Sequence, residues 1–92
     1  MAHTFEELVA MQRAAEQAYN RVEELRDRYG PPAHSRWAQA HTATYETALR
    51  AWRDLARDVQ SAVAEYAKAE GRRRNEVEAE VREAARRPGP QE

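Results

Sequence analysis

Apolar and small residues recur along the first third of the chain at alternating steps of three and four residues. They are Leu8, Met11, Ala15, Ala18, Val22, Leu25 and Tyr29. This heptad spacing places them on one face of an α-helix, the seam. Thr4 and Glu7 fit a capping box, and a Gly-Pro-Pro run at 30–32 cannot continue a helix. The pattern predicts a helix over residues 4–29.

A second seam with the same alternation follows the Gly-Pro-Pro run. It contains Ala38, His41, Tyr45, Ala48, Trp52, Leu55, Val59, Ala62, Tyr66 and Ala69. Either Pro32 occupies the first turn of this helix or Ser35 caps it. Only Gly71 weakens the helical pattern further on, so the sequence leaves open whether the helix stops there or continues. We predict a loop over 30–35 and a helix over 36–70.

Residues 71–92 are poorer in apolar positions. Val77, Val81, Ala84 and Ala85 are the candidate apolar contacts there, and they are helical in spacing but one residue out of register with the preceding seam. Glu78 with Arg82, and Glu83 with Arg87, are favourable pairs four residues apart on a helix. We therefore predict a charged C-terminal extension that is partly helical and solvated, attached to a helical unit over residues 1–70.

The fold class predicted is all-α, an antiparallel and coiled-coil-like helical hairpin, because the connecting loop is short. The second helix is longer than the first, so we expect an overhang that carries Val59, Val63 and Tyr66. A lone hairpin encloses no core and should be marginally stable. Dimerisation, or pairing with another helical protein, would complete a four-helix bundle. The expected interface comprises Leu8, Met11, Val22, Leu25, Tyr45, Trp52, Leu55, Val59 and Tyr66.

Composition narrows the function classes. The 92 residues include no cysteine, which excludes disulfides and zinc–cysteine sites. No apolar run approaches the ~20 residues that span a bilayer, and no membrane partner is expected. The first residues lack the basic and apolar regions of a cleaved secretory signal. We expect a cytoplasmic protein and leave open secretion without a cleaved signal.

The candidate chemistry is sparse, and we expect neither catalysis nor a cofactor nor a metal site. His41 lies on the seam, seven residues after His34, without carboxylates one turn away that could complete a metal site. Asp54 and Asp58 lie among arginines in a solvated charged face. A catalytic carboxylate pair would need an apolar pocket that separates the two pKa values. The sequence therefore favours a non-enzymatic interaction module.

One basic cluster, Arg72, Arg73 and Arg74, offers a possible phosphate contact on nucleic acid. Residues 70–92 contain six basic and six acidic residues, so this segment has no net charge. The pI near 6.3 also lacks the signature of a basic domain. A nucleic-acid-associated accessory protein remains an alternative that the overall charge disfavours.

The aromatic residues after the loop support a second alternative. Trp37 lies near the turn, Tyr45 and Trp52 follow about two and four turns later, and a Tyr-x-x-x-Glu element occupies 66–70. In these respects residues 37–70 resemble the WXG100 family, small secreted helical hairpins of type VII secretion. The resemblance implies secretion without a cleaved signal and pairing with a homologous hairpin.

The same segment departs from the family pattern in its turn. Residues 37–39 read Trp-Ala-Gln and lack the glycine that follows the family's tryptophan. The Gly-Pro-Pro run at 30–32 precedes Trp37 instead of surrounding it. The first helix is short, and the Tyr66 element lies closer to Trp37 than the family pattern places it.

Overall fold

A computed structural model describes residues 3–30 and 37–87 of the chain. All regular structure in these two ranges is α-helical, which confirms the all-α class. The helices are α1 (Phe5–Tyr29), α2 (Gln39–Glu70) and α3 (Arg74–Arg86). No helix in these ranges has the length and apolar character needed to cross a membrane.

Helix α1 has the bounds that its seam predicts, to within one residue. The Thr4 hydroxyl accepts a hydrogen bond from the Glu7 backbone N–H at 3.1 Å, and the Glu7 carboxylate accepts one from the Thr4 N–H at 2.8 Å. This reciprocal pair is the predicted capping box. At the other end, Gly30 adopts φ 83°, and its N–H donates to the Arg26 carbonyl at 2.9 Å. The positive φ favours glycine and ends the helix.

Helix α2 begins at Gln39, three residues later than predicted. Trp37 therefore precedes the helix, and its indole N–H donates to the Gly30 carbonyl at 3.0 Å. The indole also lies edge-on to Tyr29 and to Tyr45, with ring centroids 5.2 and 5.0 Å away. These contacts hold the extended segment that precedes α2 against the C-terminal end of α1. Pro32 and Ser35, the two alternatives for the helix start, lie outside the described residues.

The contacts between α1 and α2 follow each other in antiparallel order. At one end, Tyr29 of α1 stacks on His41 of α2, with ring centroids 4.2 Å apart. At the other end, the rings of Phe5 and Tyr66 lie 6.2 Å apart.

Helix α2 ends at Glu70, because Gly71 adopts the left-handed conformation with φ 65° and ψ 35°. The Gly71 N–H donates to the Lys68 carbonyl at 3.3 Å, and the Arg72 N–H donates to the Ala67 carbonyl at 2.9 Å. This is the Schellman arrangement, which closes a helix and redirects the chain. The question that the sequence left open is thus decided at Gly71.

The structure differs from the expectation of a solvated C-terminal extension. Helix α3 folds back onto α1 and α2 and buries Val77, Val81 and Ala85, of which Val77 is 0% exposed. Both valines belong to one core cluster with Leu8 and Val63. The reversal at Gly71 directs the apolar stripe of α3 towards the apolar surface that α1 and α2 form. A helix as short as α3 is marginally stable in isolation, so this contact stabilises it.

The end of α2 is likewise not an uncovered overhang. Val59 and Val63, which the sequence analysis placed there, are 7% and 1% exposed because α1 and α3 cover them. Tyr66 is half-buried against the same cluster. The third helix supplies the cover that a second molecule was expected to provide.

The three helices differ in length, and this difference shapes the molecule. At ~1.5 Å per residue, α2 is about 48 Å long, and it spans the 50 Å long axis of the chain. Helix α3 is only about 20 Å long by the same rise. The molecule therefore has a three-helix half, formed by residues 5–15, 57–70 and α3, and a two-helix half, formed by residues 16–29 and 39–56.

Candidate interaction surface

Arg13 of α1 binds the C-terminal end of α3, where the three-helix half ends. Its guanidinium donates to the carbonyls of Ala84 and Arg87 at 3.2 Å each and of Ala85 at 3.3 Å. The last carbonyls of a helix have no partner within the helix and carry its negative dipole end, so a cation is favourable there. Helix α3 thus runs alongside α1 in the same direction and stops near its middle.

We expect Arg13→Ala to loosen the docking of α3 by about 1–3 kcal/mol, the usual worth of hydrogen bonds from a charged donor. The backbone amides of α3 should exchange with solvent faster, whereas those in the middle of α2 should change little. Native-state hydrogen exchange resolved by residue measures both. Gln17→Ala, an exposed change on α1, is the control. Equal protection of α3 in the two variants would contradict the role of Arg13.

Arg72, at the start of α3, is engaged within the chain. Its guanidinium donates to both carboxylate oxygens of Glu80, at 3.1 Å to Oε1. This hydrogen bond lowers the pKa of the Glu80 carboxyl and raises the pKa of Arg72. Arg73, the N-cap of α3, and Arg74, its first residue, are both exposed. The three arginines proposed as a phosphate contact are therefore adjacent in space, and Arg72 already has an anionic partner.

A groove of about 790 Å³ lies between α3 and the middle parts of α1 and α2. Tyr19 of α1 and Trp52 of α2 form its far wall, with ring centroids 5.1 Å apart and a tilt of 53°. Tyr19 is 37% exposed, the one large hydrophobic residue in the described ranges that is classed as exposed. Glu78 and Arg82 of α3 line the near end. The groove thus carries aromatic surface that the chain leaves partly uncovered.

Beyond the groove, α2 carries further apolar residues on the same face. Tyr45 and Leu49 lie seven residues before Trp52 and Ala56, so the helical repeat places them on the same face of α2. Both are half-buried, and the Tyr45 hydroxyl accepts a hydrogen bond from Arg26 at 3.2 Å. This bond raises the pKa of Arg26. We call this surface the aromatic face, comprising Tyr19, Tyr45, Leu49, Trp52 and Ala56.

The opposite side of the two-helix half has a different character. A shallower depression of about 470 Å³ there is lined by Arg21, Leu25, Ala43, Thr44, Thr47, Ala48 and Ala51. Leu25 is only 1% exposed, so its apolar surface is already buried by α1 and α2. We call this surface the alanine–threonine face, comprising Ala43, Thr44, Thr47, Ala48 and Ala51. Its side chains are small, and none of them is aromatic.

The expected interface residues divide into two groups in the structure. Leu8, Val22, Leu25 and Val59 are buried within the chain, so they are not at a surface. The half-buried residues are Met11, Tyr45, Trp52, Leu55 and Tyr66. Of these, Tyr45, Trp52 and Leu55 lie in the two-helix half.

Tyr19 lies off the heptad seam and was not among the expected interface residues. The signal was available, because a large aromatic residue beside a seam widens the apolar stripe beyond what one partner helix covers.

His41 stacks on Tyr29 with ring centroids 4.2 Å apart and an interplanar angle of 8°. It is an exposed residue at the loop end of α2. Across residues 3–30 and 37–87, no three His, Cys, Asp or Glu side chains converge as metal ligands. Over the same ranges, the core contains no buried polar or charged residue. What distinguishes the described surface is therefore its apolar and aromatic side chains.

No family model, no curated protein and no solved structure matches this chain. The fold itself defines a small three-helix protein in which one helix covers only half of the other two. The function is therefore argued from the surfaces described above.

Proposed function

We propose that this chain is a non-enzymatic protein-interaction module. It associates with itself or with another helical protein through its two-helix half, and a four-helix bundle forms there. The observation that carries the proposal is that α3 stops at Arg13 and leaves the aromatic face beyond it partly exposed.

Packing energetics support this proposal. Two helices in contact bury one stripe each, whereas a third or fourth helix also buries the sides of that stripe. The three-helix half gains this cover from α3, and residues such as Leu8 and Val77 are fully buried there. Tyr19 and Trp52 lack such cover. Burying a large apolar side chain contributes ~1.5–3 kcal/mol, so a partner that covers this face would be stabilised by the burial of each ring.

Neither alternative function gains support from a specific contact. The Trp37 indole hydrogen-bonds Gly30 and packs on Tyr29 and Tyr45 of its own chain, so it is used to close the loop. Arg72 pairs with Glu80, which reduces the positive charge that the 72–74 cluster could present to a phosphate. We therefore keep the interaction module as the proposed function.

The proposal is tested by the mass of the purified chain across a dilution series, measured by light scattering after size exclusion, with circular dichroism on each peak. We expect twice the 10.6 kDa chain mass at high concentration and a melting temperature that falls on dilution. A poorly helical monomer that becomes helical with a helical partner would also support the proposal. A cooperatively folded monomer with a concentration-independent melt would overturn it.

A further inference from the structure

We propose that the partner of the aromatic face is a second copy of this chain, docked antiparallel, with each α3 acting as an end stop for the other copy. This inference rests on the proposed function and names both the face and the occupant. It follows from the unequal helix lengths, the chemistry of the two sides and the charges along α1.

The aromatic face is the better docking surface of the two. It carries Tyr19 and Trp52, and tyrosine and tryptophan are the residues that most often dominate binding energy at protein interfaces. On the other side, Leu25 is already buried, and the accessible residues are alanines, threonines and Arg21. Both sides offer apolar surface, but only the aromatic face offers it as large rings that can anchor a partner. The presence of these anchors favours association through the aromatic face.

The dimensions of the aromatic side suit a second copy. Residues 39–56 extend about 27 Å at ~1.5 Å per residue, and two helices of ~10 Å diameter are about 20 Å wide. Accessible area exceeds this projected rectangle because side chains stand out from it. The buried area is then on the order of the ~800 Å² per partner found in stable interfaces. A second two-helix half matches this surface in length and width.

The position of α3 selects the antiparallel orientation. Helix α3 lies on the same side as the aromatic face, because Glu78 and Arg82 line the same groove as Tyr19 and Trp52. Two copies packed in the same direction would bring their α3 helices against each other. In the reversed arrangement, each α3 lies towards the loop end of the other copy, so the two α3 helices are kept apart and the two-helix halves face each other. Such an isologous contact closes as a dimer and does not propagate.

Charges along α1 fit this reversed pairing. Glu23 follows Tyr19 by four residues, and Arg26 follows Tyr19 by seven, so all three lie towards the same side of α1. Glu23 is exposed, and Arg26 lies over Tyr45 through its hydrogen bond. When two copies of α1 approach antiparallel near the middle of the two-helix half, Glu23 of each copy meets Arg26 of the other. The two-fold symmetry makes this pairing twice.

Crosslinking tests the face directly, because the chain contains no cysteine of its own. Three single-cysteine variants are treated with a short bismaleimide: Glu23→Cys on the aromatic side, Glu24→Cys as the adjacent control, and Thr47→Cys on the alanine–threonine face. We expect mostly covalent dimer from Glu23→Cys and mostly monomer from the other two. Circular dichroism of each variant verifies that it is folded.

Orientation is tested with a spin label at Gln60→Cys, at the α3 end of the groove. In the antiparallel dimer, the two labels should lie about 38 Å apart, from twice the rise between residue 60 and the centre of residues 39–56 at ~1.5 Å per residue. A short distance between the labels would overturn the antiparallel arrangement.

Failure of this inference and failure of the proposed function give different results. A wild-type dimer in which Thr47→Cys crosslinks, or in which Glu23→Cys stays monomeric, overturns the assigned face alone. A wild-type chain that is a poorly helical monomer and binds a different helical protein overturns the second copy as occupant. A cooperatively folded wild-type monomer at all concentrations overturns both.

Discussion

Replacing Val77 by aspartate is expected to detach α3 from the molecule and to remove most of its stability. Val77 is 0% exposed in a core cluster that contains residues of all three helices. An unpaired carboxylate there would cost several kcal/mol, because the described core offers no polar partner. A chain of this length has a total stability on the order of 5–14 kcal/mol at ~0.05–0.15 kcal/mol per residue. Helix α3 should therefore undock rather than bury the charge.

The measurement is a thermal melt followed by circular dichroism, with hydrogen exchange of the α3 amides. Ala79→Asp is the matched control, because it places the same charge on an exposed position of the same helix. We expect Val77→Asp to melt far below the wild type and Ala79→Asp to melt near it. Similar melts for the two variants would mean that α3 is solvated and contributes nothing to the core.

Truncating Leu8 to alanine is expected to cost about 2–5 kcal/mol, the range for large-to-small changes at fully buried sites. Leu8 is 0% exposed and belongs to the cluster where α1, α2 and α3 meet. The neighbouring positions in that cluster include Ala15, Ala62 and Ala67, which are too short to fill the space that leucine leaves. The cavity should therefore persist, and the cost should lie towards the upper end of the range.

Leu8→Met is the control for this prediction, because it conserves volume and usually costs less than about 1.5 kcal/mol. Urea denaturation at fixed protein concentration gives both free energies of unfolding, and equal slopes verify that the comparison is valid. If the two variants had the same stability, Leu8 would not lie in a packed core.

The sequence predicted α1 well because its signals are local. The seam from Leu8 to Tyr29, the Thr4–Glu7 capping box and the stop at Gly30 each depend on residues within one or two turns of each other. The end of α2 at Glu70 was also within reach, since a glycine after a seam is the usual left-handed terminator. The α2 start was predicted three residues early, because Trp37 fits a helix but instead hydrogen-bonds the Gly30 carbonyl.

The docking of α3 could not be read from the sequence alone. Val77, Val81 and Ala85 form a stripe that is equally compatible with a solvated helix and with a packed one. What decides between these states is the surface that the stripe meets after the turn at Gly71. That surface is made by Leu8 and Val63, two residues that lie 55 positions apart in the chain. The candidate site depends on the same event, since Glu78, Val81 and Arg82 of α3 form one side of the groove beside Tyr19 and Trp52.

The helical segments, the antiparallel pairing that a short loop imposes and the seam residues that must be buried all follow from local sequence pattern. Which element buries those seam residues depends on tertiary contacts. Val59 and Val63 needed cover, and a second molecule or α3 could have supplied it with the same contacts. Helix α3 is tethered to α2 by only a short turn. The entropy lost when α3 docks on the core is therefore small compared with the entropy lost when a separate molecule binds. Because α3 has only 13 residues, it covers α1 and α2 only as far as Arg13.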